Sequence, residues 1–267
     1  MLKPLALGGT ADLSDEAARP PSGLPDKAEL RDRLGKLVER IDQLQVALFA
    51  ENRRALLVVL QGRDASGKDG ATRNVFGPLN AQGCVVSAFK RPSELELAHD
   101  YLWRVHMEMP RRGVIGVFNR SHYEDVLVVR VHELVPADQW QQRYDQINEF
   151  ERMLTENGTT ILKFFLHISR KEQKERLLGR LEDPTKNWKY NPGDFEERKR
   201  WDEYTSAYRD ALRRCSTAWA PWYVVPADKK AARDVLIAEV VVQALEAMNP
   251  EFPRVDPELL RKAKLID

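Results

Sequence analysis

Residues 55–70 read ALLVVLQGRDASGKDG. The first seven, ALLVVLQ, carry no charge and form a short apolar run bounded by glycine, the signature of a fully buried strand. Directly after it, Gly62 and the pair Gly67-Lys68 stand at the G-x4-G-K spacing of a phosphate-binding loop, and residues 71–79 read as the helix that the loop opens. Glycines let backbone N–H groups turn inward around phosphate oxygens, the helix N-terminus adds positive potential, and Lys68 supplies a mobile point charge. Gly62, Arg63, Ala65, Ser66, Gly67 and Gly70 are therefore the expected phosphate-binding positions of the loop. The spacing alone is modest evidence, and the strand before it and helix after it give it weight.

Two positions depart from an ordinary loop of this kind. Asp69 stands where Ser or Thr would bind magnesium, and Asp64 lies inside the loop itself. Carboxylates beside phosphate repel it unless cations bridge the like charges, so Asp64 and Asp69 are expected to act through Mg2+ or by positioning an acceptor. For Asp69 a plain loop-capping role stays open.

Moving outward, further short apolar runs occupy residues 84–89, 114–118, 160–166 and 222–225, separated by polar, helix-like sequence. Five strands alternating with helices predict a parallel sheet covered on both faces. Before the first strand, Leu30, Leu34, Leu37, Ile41, Leu44 and Leu48 recur at helical spacing from Asp26 onward, and a last amphipathic helix spans roughly 229–248. The single domain so defined runs over 26–250. Residues 1–25 read as an arm outside the fold, its 8–25 stretch GGTADLSDEAARPPSGLP being loop-like, and 251–267 as a tail. The stretch RLEDPTKNWKYNPGD at 180–194 interrupts the helical pattern with prolines and charges, and predicts a mobile flap, with a helical lid over about 180–210.

The third run ends in NRSHYED, residues 119–125, at a strand's carboxyl end, where open α/β sheets bind ligands. Asn119 occupies the place of a Walker B acid, with Glu124 and Asp125 one turn further on. Basic residues gather around these elements: Lys90 and Arg91, Arg111 and Arg112, then Arg120 and Arg130. Such a groove holds more negative charge than one nucleotide carries, although Arg111 and Arg112 read individually as solvated surface charges.

The chain has 42 basic and 41 acidic residues, net charge +1, which disfavours a general nucleic-acid binder. Cys84 and Cys215 are too few for a disulfide framework and lack zinc spacing, so a reducing cytoplasm fits. Neither a secretory leader nor a membrane span is expected. The five histidines lack metal spacing, and only His122 stands within a motif and stays open for a role.

In combination GRDASGKDG at 62–70, FNRSHYEDV at 118–126 and RLEDPTKNWKYNPGD at 180–194 closely resemble the polyphosphate kinase 2 family, over about residues 30–250. The resemblance implies a thymidylate-kinase-like P-loop core with a helical lid. It also implies reversible, Mg2+-dependent phosphoryl transfer between inorganic polyphosphate and AMP, ADP or ATP. By motif, Lys68 would bind phosphates, Asp64 and Asp69 would orient acceptor and metal, and Arg120 would contact the phosphate in transfer. In the lid Arg180 and Asp194 match family positions, with Lys186 and Lys189 as polyphosphate contacts. Asn119, where family members that favour ADP usually carry Asp, implies that AMP is accepted and carried on to ATP; Glu124 belongs to the same nucleotide-binding motif. A homo-oligomer, dimer or tetramer, is the expected assembly. Two other readings remain open at this point: a nucleotide kinase with ATP as donor, and a phosphate-binding module without turnover.

Overall fold

The structure is a computed structural model that describes residues 2–263. In chain order its elements are α1 (Lys27–Glu51), β1 (Ala55–Gln61), α2 (Lys68–Ala71), β2 (Cys84–Ala88), α3 (Glu94–Leu97), α4 (Trp103–Met107), β3 (Ile115–Asn119), α5 (Val128–Val131), α6 (Ala137–Glu156), β4 (Thr159–His167), α7 (Arg170–Glu182), α8 (Gly193–Lys199), α9 (Trp201–Cys215), β5 (Trp222–Pro226), α10 (Lys230–Met248) and α11 (Pro257–Ala263). The five expected strands form one parallel sheet in the order β2-β3-β1-β4-β5. All seven residues of the central β1 are buried, which is why its sequence is continuously apolar rather than alternating.

Alternate residues of the sheet feed two cores. Leu56, Val58 and Leu60 pack toward α1, α2 and α10, with Ile41, Leu48, Ala71 and Ile237. Leu57 and Val59 pack toward α6 and α9, with Tyr144, Ile147, Ala207 and Leu212. The helix α1 begins where Asp26 accepts hydrogen bonds from the N–H groups of Ala28 and Glu29 at 2.7 and 2.9 Å, and ends at Asn52 in the left-handed region. Among the described residues no helix is long and apolar enough to cross a membrane.

Three expectations change. The arm is irregular, as its composition predicts, but it belongs to the fold: Leu5 N–H donates to Trp222 O, Arg170 N–H to Asp15 Oδ1, and Asp228 N–H to Ala18 O, with Ala18 fully buried. Small residues without periodicity let a strap follow an irregular surface, and hydrophobic pattern is blind to that. The helix expected over 71–79 starts earlier, at Lys68, and continues as one π-helical turn over Thr72–Phe76. It stops before Gly77-Pro78, where proline can donate no backbone hydrogen bond. Within the range expected for the lid, α9 is part of the core, since Ala207, Tyr208, Ala211 and Leu212 are buried in it. The last four residues of the expected tail, 264–267, lie outside the described residues.

Candidate active site

β1 and β3 are neighbours in register, Leu60 opposite Asn119, so the loop after one strand and the turn after the other meet at the sheet's carboxyl edge. The loop needs its glycines. Gly67 has φ +105, and a Cβ there would collide with the Arg233 guanidinium. The loop carbonyls are held from outside: Arg176 Nη1 donates to Ala65 O at 3.0 Å and Ser66 O at 3.1 Å, while its Nη2 donates to Ala227 O and Asp228 O. Arg233 is fixed by Asp234 at 2.6 Å. Gln173 Nε2 donates to Asp64 O at 3.1 Å. Nothing in the local sequence marks Gln173, Arg176 or Arg233, because the loop atoms they approach lie more than a hundred residues away.

Lys68 Nζ donates to Gly62 O at 2.6 Å and Arg63 O at 3.2 Å. Burial pushes this ammonium down to about 8, and the Arg120 charge adds to the effect, against the opposing pull of Asp64, Glu124 and Asp69. A bound polyanion favours the charged form. Tripolyphosphate binding above pH ~8 is therefore expected to take up protons, visible as a dependence of the calorimetric heat on the buffer's ionisation enthalpy. Binding heats that are independent of buffer at pH ~8.5 would remove Lys68 from the phosphate site.

Arg120, at φ +64, places Nη2 2.5 Å from Asp64 and Nη1 3.4 Å from Glu124. The neighbouring carboxylates, Glu124 foremost, hold its guanidinium above its usual range. Asn119 Nδ2 donates to Asp69 Oδ1 at 2.8 Å, and the lid's Lys189 lies 3.6 Å from Oδ2. Burial pushes the Asp69 carboxyl up, but the Asn119 hydrogen bond and the charges of Lys189 and Lys68 outweigh it and leave the carboxyl below its usual range. Arg180, on α7 with Gln173 and Arg176, pairs with Asp194 at 2.6 Å and donates to Lys189 O at 3.4 Å. Asp194 is raised by burial and by the nearby Asp64 charge.

Not every expected residue reaches this centre. Arg63 turns its guanidinium onto the Trp201 ring, 3.8 Å from the centroid, and donates to Trp201 O and Thr205 Oγ1; only its backbone faces the loop. Arg130 pairs with Asp210 at 2.7 Å and donates to the Tyr144 hydroxyl, away from the loop. Both cations find fixed carboxylate, carbonyl or aromatic partners on α6 and α9, contacts that linear spacing does not encode. Lys186 is paired with Asp183 at the exposed side of the lid. Lys90 and Arg91 line a cavity of about 1140 Å³ that opens beside Arg120 and Glu124, with Phe89 and Tyr101 among its walls. Asp125, in the same wall, sits 2.8 Å from Arg143 and is pushed up to about 6 by burial. The NRSHYED motif and the Lys90-Arg91 pair mark one wall of this cavity, whereas the rest of its lining comes from α3 to α6, which carry no motif.

At the loop the buried Ser66 hydroxyl has no hydrogen-bond partner within the protein, a donor that suits a phosphate oxygen, and the buried Glu124 Oε1 is an unpartnered acceptor that suits a donor or a cation. Among the described residues no group of three or more His, Cys, Asp or Glu side chains forms a metal site. Asp64 and Asp69, with Glu124 nearby, offer hard carboxylate oxygens, the donor type of a cation that completes its shell with phosphate oxygens and water.

The glycine-bearing loop between β1 and α2, the buried Lys68 and the Arg120 guanidinium meet at the carboxyl edge of a parallel sheet, and this fold is that of a P-loop kinase. The comparisons narrow the class. The chain belongs to the polyphosphate kinase 2 family, whose sequence profile matches residues 25–253. The AMP/ADP-polyphosphate phosphotransferase of Meiothermus ruber is 53% identical over 223 residues, 84% of each chain. The ADP-polyphosphate phosphotransferase of Rhodopseudomonas palustris is 44% identical over 243 residues, covering 86% of this chain and 84% of that one. The crystal structure of polyphosphate kinase 2 from Arthrobacter aurescens superposes with a TM-score of 0.88 at 39% identity, covering 98% of this chain and 99% of the other.

Proposed function

We propose that this chain transfers the terminal phosphoryl group of inorganic polyphosphate, reversibly, to AMP and to ADP, giving ADP and then ATP. The observation that supports the reading is that cationic side chains gather beside the loop in two groups, enough for two phosphorylated substrates. The cavity edged by Lys90 and Arg91 takes the acceptor nucleotide beside Arg120. Outside its lining Lys230 stands close enough to Arg176, Arg233 and Lys186 to feel their charges, and Arg233 close enough to Arg73, so that a second run of cations lies next to the loop. An elongated polyanion has use for that second group, whereas a single nucleotide donor does not.

The acceptor oxygen is a phosphate oxygen already ionised at neutral pH, so positioning and charge neutralisation do the catalysis rather than a strong base. Lys68 and Arg120 hold the group in transfer, and the Arg180–Asp194 pair keeps Lys189 over the loop. Asp64 and Asp69 would hold Mg2+, which would supply the charge that lets carboxylates and phosphates share the site. Asn119 gives Asp69 a neutral partner where an aspartate would repel it, and the Meiothermus ruber relative, named for both AMP and ADP, supports a broad acceptor range.

The test separates nucleotides after incubation with Mg2+, long-chain polyphosphate and AMP, with ADP in parallel. ADP and ATP are expected from AMP, and ATP from ADP, with no turnover after chelation. ATP formed only from ADP would overturn the reading of Asn119. Turnover with ATP plus AMP but none with polyphosphate would make the chain an ordinary nucleotide kinase.

A further inference from the structure

Beneath the turn that carries Arg120 lies a set of polar side chains that no step of the transfer uses. Lys163 stands in β4 and Glu151 on α6, both 0% exposed, with Nζ 2.5 Å from Oε2. The other ammonium hydrogens go to the Tyr123 hydroxyl and to Cys215 O, each at 2.7 Å. Tyr123 in turn donates to Glu151 Oε1 at 2.9 Å, and His122 Nε2 lies 3.1 Å from the same oxygen. Because that oxygen belongs to a carboxylate, Nε2 carries the hydrogen. His122 and Tyr123 are themselves 0% exposed, and their rings pack against Phe150 and Trp222 respectively. Burial works against an ionised Glu151, yet Lys163 and His122 hold its carboxyl below the usual range.

An ion pair taken wholly out of water contributes little net stability, since desolvation offsets most of its attraction. Its geometric consequence is larger. Arg120 is a non-glycine residue in the left-handed region, a conformation that persists only where its surroundings over-determine it. Upstream, Arg120 N–H donates to Leu60 O at 3.0 Å, and Ser121 Oγ accepts from Gln61 Nε2 at 3.1 Å. Downstream, the next two residues, His122 and Tyr123, both end on Glu151. The turn is thus tied to β1 on one side and to α6 on the other, and Arg120 leaves it toward Asp64.

We propose that Glu151, held by Lys163, is a positioning residue: through His122 and Tyr123 it fixes the backbone turn that aims Arg120 at the phosphoryl group in transfer. The inference rests on the function proposed above.

Two variants test it. Glu151→Leu/Lys163→Met removes both charges together and leaves none unpaired, and His122→Phe keeps a ring in place while losing the Nε2 donor. Each is expected to lower kcat by about fivefold or more, with KM for AMP moving less than about threefold and thermal unfolding close to that of the parent. A folded variant that keeps kcat within about fivefold, or whose loss appears in KM, overturns the proposal. Should the double variant fail to fold, His122→Phe decides alone. The parent, assayed in parallel, reports on the function itself. If the parent does not turn over, crystal structures of the variants decide: Arg120 displaced from Asp64 supports the proposal, and Arg120 still bonded to Asp64 overturns it.

Discussion

Lys68→Ala will fold and will lose roughly a thousandfold in kcat, the upper range for deleting one preorganised donor, because Lys68 is a full charge in a water-poor site. Its stability should hardly move, for a reason with two opposing parts. Burial lowers the Lys68 ammonium from 10.5 to about 8. A group whose folded value is depressed in this way opposes folding while it is charged, by about 3 kcal/mol below pH ~8, and the penalty fades as pH rises toward its unfolded value. Alanine removes that penalty but leaves the Gly62 and Arg63 carbonyls without their donor, a loss of about 1–3 kcal/mol. The two nearly cancel, so the unfolding midpoint should stay within about 4 °C of the parent. Steady-state rates with polyphosphate and AMP, beside a thermal melt, check both halves; a folded variant retaining a tenth or more of the parent's kcat would refute the assignment.

Gly67→Ala will have an effect of comparable size through a different route. The residue is held at φ +105, and the added methyl meets Arg233, which cannot withdraw without abandoning the buried Asp234. Breaking such a pair costs about 3–5 kcal/mol, and shifting the loop instead turns its amides away from phosphate. Turnover should fall below detection and the melt should drop by several degrees. Gly35→Ala is the control. That glycine is exposed within α1 with open space around it, and the same substitution there should add about 0.5–1 kcal/mol. Wild-type turnover in Gly67→Ala would mean that the loop does not hold phosphate in the conformation described.

The central strands were legible because parallel strands covered on both faces are apolar throughout, as β1 is, and 84–89, 114–118, 160–166 and 222–225 have no competing helical period; the edge strand β2 is apolar too but leaves Val85 and Val86 half exposed. The loop was legible because phosphate binding demands glycine and lysine at fixed spacing, and the Asn119–Arg120 turn because it follows an apolar run at the carboxyl end of a strand. The residues that hold those elements in shape were not. Arg176 and Gln173 lie on α7 with ordinary helical neighbours, and nothing local says that they donate to loop carbonyls in front of β1. Arg63 and Arg130 show the converse: both stand where a phosphate ligand is expected, and their long flexible side chains found Trp201 and Asp210 instead. The docking of residues 5–18 escaped notice because backbone hydrogen bonds to a sheet edge leave no trace in side-chain periodicity.

Gln173, Arg176 and Arg180 fall on successive turns of one helix, the first two gripping the phosphate loop and the third gripping Asp194. Seven residues of helix rise about 10 Å, so α7 is a ruler that sets the span between the floor of the site and its cover. Loop and cover cannot shift independently while that ruler stays straight. The reach available to a chain of phosphates is therefore written into the pitch of α7 as much as into the charges that line its path.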